Sequence, residues 1–222
     1  MFFKRSYDPE ILDDFSIQDE RVDNALKELK TINSFLGGNA ISHEGIKTFY
    51  NNSDALTILD VGSGSSDILI SIKKKTKNLN LFSLDKNQRS CVYLKEHSKD
   101  IKVICGDVLH LPFDAPFDII HASLFLHHFR EEELKDIITS LLVISNKGIV
   151  INDLRRSIFA WVGIKILTLL FSRSKEVKND GPLSVRKGFI KKDWTDILNI
   201  VSPERYVIKR RWAFRWLIVI HK

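Results

Sequence analysis

Three carboxylates recur at corresponding places along this chain: Asp60 in LTILDVGSGSSD, Asp85 in LNLFSLDKN and Asp107 in IKVICGDVLHLPF. Each follows a short apolar run, and Gly62 and Gly64 come directly after the first. Glycine in such a turn reaches positive φ and lets a ligand approach without meeting a Cβ. An acid ending a second strand about twenty residues later is placed to accept both hydroxyls of a ribose. Asp85, with Lys86 beside it, stands there. Asp107 can receive an adenine amino group while Val108 packs on the ring. The third glycine of a dinucleotide fingerprint is replaced by Asp67. A carboxylate there repels a pyrophosphate at the point where attraction is required. No Gly-Lys-Ser/Thr follows, which excludes a P-loop. The turn therefore suits a nucleoside without phosphate. His127 and His128, in HASLFLHHFREEE, add imidazoles suited to removing a proton near neutral pH, or simply to capping the next helix.

The surrounding pattern supplies elements to hold these residues. LTILDV, LNLFSLD, IKVICGD, FDIIHAS and KGIVIND read as strands, with helical stretches at SDILISIKKKT, NQRSCVYLKEH and EEELKDIITSLLVIS between them. Short strands apolar on both faces, alternating with helices, indicate a parallel sheet covered on both sides. KKDWTDILNIV then reads as a helix, and RYVIKRRWAFRWLIVIHK as two tightly joined strands. A tight connection makes them antiparallel, because parallel neighbours need a long crossover. Upstream, Val22, Leu26, Leu29, Ile32, Asn33 and Leu36 keep helical spacing from Asp19 until Gly37 and Gly38 stop it, and a second helix is expected from about Glu44 to Tyr50.

ILDVGSGSSD, LFSLDKNQ, GDVLHLPF and FDIIHASLFLHHF together resemble the successive motifs of the class I S-adenosylmethionine-dependent methyltransferases. The resemblance spans about residues 56 to 153, and the closing helix and hairpin are similar to that family's last elements. It implies an α/β fold: a doubly wound, Rossmann-like, seven-stranded and mostly parallel sheet with an antiparallel C-terminal hairpin and helices on both faces. It further implies S-adenosylmethionine as cofactor. Asp60, Gly62 and Gly64 would form the methionine-side turn, Asp85 with Lys86 the ribose contact, Asp107 and Val108 the adenine contact, and Ala122 the wall after the fourth strand. One departure is Ser66 in place of the third family glycine; serine serves there only while it keeps negative φ. No Asn/Asp-Pro-Pro-Tyr and no Pro-Cys pair is present, which counts against methylation of nucleic-acid bases. The resemblance is greatest to the quinone and polyketide branch of secondary metabolism. It implies a small, apolar or phenolic acceptor methylated on oxygen or carbon, with His127 and His128 as candidate catalytic residues.

Residues 1–52 are expected to form an N-terminal helical lid carrying Tyr7 and Phe15, and residues 53–222 the cofactor-binding domain. An insertion at about 155–190 would cover the acceptor while Arg155 and Arg156 meet an acidic group. Within it, IFAWVGIKILTLLF is shorter than the roughly 20 residues that cross a bilayer and is interrupted by Lys165. It reads as a buried helix or a substrate lid ahead of an interfacial helix, leaving peripheral membrane contact open. The 222 residues, 44% hydrophobic and 28% charged, suit one globular domain. A net charge of +6 permits an anionic partner without demanding one. Nucleic acid is disfavoured, although an RNA or protein methyltransferase using the basic run Lys209 to Arg215 is an alternative, as is a non-catalytic cofactor-binding domain. Cys91 and Cys105 read as reduced, partly buried thiols without metal-ligand spacing. MFFKRSYDPE turns acidic too early for a secretory signal. Both point to the cytoplasm.

Overall fold

Doubly apolar strands form the centre of the molecule. The computed structural model describes residues 4–50, 55–76, 78–113 and 115–222, so the boundary expected between residues 52 and 53 lies outside them. Strands β1 (Leu56–Val61), β2 (Leu79–Asp85), β3 (Ile101–Cys105), β4 (Phe117–Ser123) and β5 (Ser145–Leu154) are parallel, and β6 (Arg205–Arg211) and β7 (Arg215–His221) form an antiparallel pair. The sheet order is β3-β2-β1-β4-β5-β7-β6, with β7 antiparallel to β5. Strand order reverses between β1 and β4, the place where an open α/β sheet leaves a crevice beyond its carboxyl ends.

Alternate residues of the central strands feed two cores. Leu59, Ile120, Ile149, Ile151, Trp216 and Ile218 pack under α5 (Glu131–Val143) and α8 (Lys191–Val201). Ile58, Leu81, Ile119, Val150 and Leu217 face α2 (Gly38–Lys47), α3 (Asp67–Lys73) and α4 (Gln88–His97). The Asn87 side chain caps α4 by accepting from the Arg89 and Ser90 amides (2.9 and 3.2 Å), which turns the chain out of β2. Both cysteines are free thiols, Cys91 buried and Cys105 exposed.

Two expected elements differ. α1 (Glu20–Phe35) ends near the glycine pair as expected, but α2 begins at once at Gly38 instead of near Glu44. Gly37 takes a left-handed conformation (φ 77°), which reverses the chain in a single residue and lets the helix restart. α6 covers Ile158–Phe171, and α7 (Lys175–Lys187) returns along it. α6 is not a core helix: only Ala160 and Thr168 are buried in it. The insertion is closed at its base, where the Arg155 amide donates to Phe214 O (2.8 Å), the Arg156 amide to Phe189 O (3.0 Å) and Trp216 Nε1 to Phe189 O (2.9 Å).

Beneath the first strand-to-helix turn lies a buried polar chain. Asp60 Oδ1 pairs with His121 Nδ1 (2.7 Å), and His121 Nε2 lies 2.9 Å from Ser42 Oγ. Ser42 also accepts from Asn152 Nδ2 (2.9 Å), which donates to Gly38 O as well (3.0 Å). The other Asp60 oxygen accepts from Ser66 Oγ (3.1 Å). One carboxylate thus fastens β1 to β4 and to the turn. Asp60→Ala leaves a buried imidazole and a buried hydroxyl without their acceptor, at about 1–3 kcal/mol each. Urea denaturation of that variant is expected to show a loss of about 3 kcal/mol; a loss below about 1 kcal/mol would remove Asp60 from this role.

Candidate active site

A cleft of about 630 Å³ opens at the carboxyl ends of the parallel strands. Of the residues singled out in the sequence, Gly62, Gly64, Asp85, Lys86, Asp107, Val108, His127 and His128 line it. Asp60 and Ala122 do not. Asp60 is committed to His121 and Ser66 below the turn, and Ala122 is buried in the core; Leu124 and Phe125 form the wall after β4 instead.

The turn after β1 is left-handed at three alternate residues: Gly62 (φ 62°), Gly64 (φ 50°) and Ser66 (φ 46°). A Cβ on Gly62 would lie 1.9 Å from the Phe125 ring, so no side chain fits there. Ser66 does not keep negative φ; it adopts the glycine conformation, and its hydroxyl bond to Asp60 offsets part of the strain. Ser65 Oγ donates to Asp67, which opens α3, and burial raises the Asp67 pKa.

Asp85 receives the Gly64 amide on Oδ2 (2.7 Å) and the Asn87 amide on Oδ1 (2.8 Å). Burial raises its pKa against these two donors. Each carboxylate oxygen keeps a further lone pair, enough for a vicinal diol. Asp107 accepts from Lys86 Nζ (2.8 Å) and from the Leu109 amide (3.0 Å). Partial burial would raise its pKa, but these donors outweigh it and the net shift is downward. A bare left-handed turn, a carboxylate with spare lone pairs and Val108 beside Asp107 fit the methionine, ribose and adenine parts of S-adenosylmethionine.

Across the cleft stand the two histidines. His127 Nδ1 is 2.7 Å from Asp153 Oδ1, and the His127 amide also donates to Asp153 Oδ2 (3.2 Å). A carboxylate offers no hydrogen here, so Nδ1 carries it and Nε2 presents a lone pair. Nε2 is buried with no hydrogen-bond partner, and its nearest carboxylate oxygen, on Glu10, is 3.9 Å away. Burial lowers the His127 pKa more than Asp153 raises it, so the ring is neutral at pH 7. His128 differs. Burial opposes its protonation, but the bond to Asp13 (2.8 Å) and the nearby Glu10 prevail and raise its pKa. Asp153 stands within the NDL stretch, where strand periodicity gave no sign that it would face a histidine from the preceding loop.

The chain before α1 straps over this pair. Arg5 donates to Lys187 O (2.6 Å) and His127 O (2.8 Å), and Lys187 Nζ lies 3.3 Å from Glu10 and 3.1 Å from Asp13. Phe15, Leu26, Leu29 and Leu36 line the cleft, whereas Tyr7 is exposed and stacks with Arg5 and Arg130. Arg155 and Arg156, expected to face the acceptor, do not line it. Arg156 is bound to Gly188 O (2.8 Å) and Asp193 (3.4 Å). The cation that does line the cleft beyond β5 is Arg215, buried, donating from Nη2 to Asn33 Oδ1 (3.0 Å) with Nε and Nη1 unpaired. Burial lowers its pKa to about 10, so it remains charged at pH 7.

The sheet order with a reversed last strand and the cleft at its switch point define a methyltransferase-type Rossmann-like fold. Residues 58–148, rather less than half of the chain, match the family described as methyltransferase domain, and over this stretch the chain is similar to the class I S-adenosylmethionine-dependent methyltransferases. It is 27% identical over 85 residues to an uncharacterized methyltransferase of Staphylococcus carnosus (strain TM300), covering 38% of this chain and 40% of that protein. Among solved structures, the plantazolicin methyltransferase BpumL with a pentazolic desmethylPZN analog and SAH superposes with a TM-score of 0.69 at 17% identity, over 94% of this chain and 92% of that one. Human N-acetylserotonin methyltransferase in complex with SAM gives 0.68 at 15% identity, over 98% and 60% respectively. Both are similar in fold. Replacing Asp85 by Ala removes both diol acceptors while Asn87 still caps α4, and should weaken S-adenosylmethionine binding on the order of tenfold or more by calorimetry. Unchanged affinity would move the ribose elsewhere.

Proposed function

We propose that this chain transfers the methyl group of S-adenosylmethionine, in the cytoplasm, to an oxygen or carbon of a small, apolar, phenol-like acceptor, with His127 as general base. The observation that carries this reading is the free Nε2 of a neutral His127, aimed by Asp153 in an otherwise largely apolar cleft. When bound, the sulfonium supplies an electrophilic methyl carbon. The protein's part is alignment, exclusion of water and removal of one proton. Leu26, Leu29, Phe125, Ile164 and Leu167 supply the dry wall. His127 Nε2 accepts the hydroxyl proton, and the resulting imidazolium lies between Asp153 and Glu10, whose carboxylates stabilise it. Arg215 is placed to hold an acidic substituent of the acceptor at the far end.

The small acceptor is favoured over RNA by how the basic run is used. Lys209 and Arg211 are paired with Glu44 (3.3 and 2.5 Å), and Arg215 is buried. The non-catalytic alternative rested on Ser66, which takes the same backbone conformation a glycine would.

Incubation with radiolabelled cofactor and a metabolite extract should place label in a small organic-soluble product; label only in RNA or protein would overturn the acceptor class. With that product's precursor, His127→Gln is expected to lower kcat by about 10²–10⁴ while KM changes little. Because His127 acts neutral, the wild-type rate should rise with pH through a value below the ordinary imidazole pKa of 6.5. Asp153→Asn should lower kcat and shift that limb further down, since a carboxylate no longer favours the imidazolium. A pH profile identical to wild type in Asp153→Asn would end the dyad assignment.

A further inference from the structure

α6 presents two unlike faces. Ala160, Gly163, Ile164 and Leu167 turn inward and line the cleft. Ile158, Val162, Ile166, Leu169 and Leu170 recur at helical spacing on the outward side, with Phe159 at the edge of both faces. Their exposure is large: Phe159 is 74% exposed, Leu169 68%, Leu170 67% and Phe171, at the helix end, 78%. A helix covering a core normally carries polar residues there. Contiguous apolar surface of this kind marks a contact with another molecule or with lipid.

The charges around it select the occupant. Lys165 lies on the exposed side of the helix among these residues, with Nζ over the Trp161 ring, 4.8 Å from its centroid. Arg173, Lys175 and Lys178 are exposed just beyond the helix. Between residues 158 and 178 the single acid is Glu176, which is buried and accepts from Ser174 Oγ (2.6 Å). The neighbouring Glu28 carboxylate is occupied by the Arg173 and Ser174 amides and the Ser172 hydroxyl. In a two-fold contact between copies, the same cations would face one another with no acid in the segment to answer them. An anionic bilayer answers them all, and leaves the apolar side chains in its acyl boundary. No helix among the described residues is long and apolar enough to cross a membrane, so the contact is parallel to the surface.

We infer that α6 seats this protein on an anionic lipid surface, with the outward face in the interface and the inward face over the cleft. Phe159, on this helix, and Trp212 both line the cleft and are largely exposed. An apolar acceptor dissolved in the bilayer would therefore reach the cleft past the helix that anchors the protein. That last step rests on the proposed function; the anchoring does not.

The test is flotation of the purified protein, without cofactor or acceptor, with phosphatidylcholine vesicles that contain or lack phosphatidylglycerol. The wild type should float with the anionic vesicles and be partly released by salt. The triple variant Ile166→Ser, Leu169→Ser, Leu170→Ser should lose about tenfold or more of the bound fraction. Lys165→Glu with Arg173→Glu should remove the preference for anionic lipid. Unaltered circular dichroism and S-adenosylmethionine affinity would show that these exposed substitutions left the fold intact. Absence of flotation with either vesicle, or flotation indifferent to all these substitutions, overturns the inference. So does sedimentation showing a dimer that the triple variant dissociates while neither protein binds lipid, which would give the face to a second copy.

Discussion

A single carboxylate with no access to the cleft governs its geometry. Asp60 sits under the turn after β1, holding Ser66 on one oxygen and His121 on the other. Three left-handed residues in five would be a soft loop on their own, each liable to relax into commoner backbone conformations. The Asp60 carboxylate holds the last of them in place, and through His121, Ser42 and Asn152 it also ties the turn to β4, α2 and β5. Only with the turn held does the Gly64 amide reach Asp85 across the gap between β1 and β2. The setting of Asp85 thus depends on a hydrogen-bond chain that runs from the turn to β4, α2 and β5.

How much of this was visible in the residue pattern depended on whether the signal was local. The sheet was legible because its strands are apolar on both faces; LNLFSLD and FDIIHAS match β2 and β4 end to end. Asp85, Asp107 and the histidine pair could be placed because strand ends deliver them to one crevice. Asp60 could not be separated from them, since its partner His121 lies 61 residues away. Asp153 was hidden for the same reason, as a strand residue whose meaning comes from a loop folded against it. Arg155 and Arg156 were taken for acceptor contacts because they follow β5, yet their amides close the insertion, and Arg215 reaches the cleft only through the antiparallel return of β7. The apolar run 158–171 gave the helix correctly but not its exposure, because hydrophobicity alone does not say which solvent a face meets.

The two ends of the cleft carry different electrostatics, and that difference orders the chemistry. Near β2 and β3, Asp85 and Asp107 make a polar, acid-lined end suited to hydroxyl and amino groups. Beyond β4 and β5 the lining is mainly aliphatic and aromatic, and its polar groups include the neutral His127, His128 paired with Asp13, Glu10, Asp180 and the buried Arg215 guanidinium. A sulfonium held between them would have Asp85 and Asp107 on one side and a largely apolar wall carrying the neutral His127 on the other. Loss of its positive charge on transfer is favoured on the dry side, where charge is poorly solvated.

The position of β7 between β5 and β6 also shapes how the chain must fold. Gly148 pairs with His221, so one edge of β5 stays bare until seventy-odd residues later in the chain have been made. During synthesis that edge offers unsatisfied amides and carbonyls to any neighbouring strand, with Ile149 and Ile151 uncovered beside them. The seam between β5 and the buried β7 is therefore late to zip, and nascent chains, more than the finished protein, carry the hazard of sticking to one another.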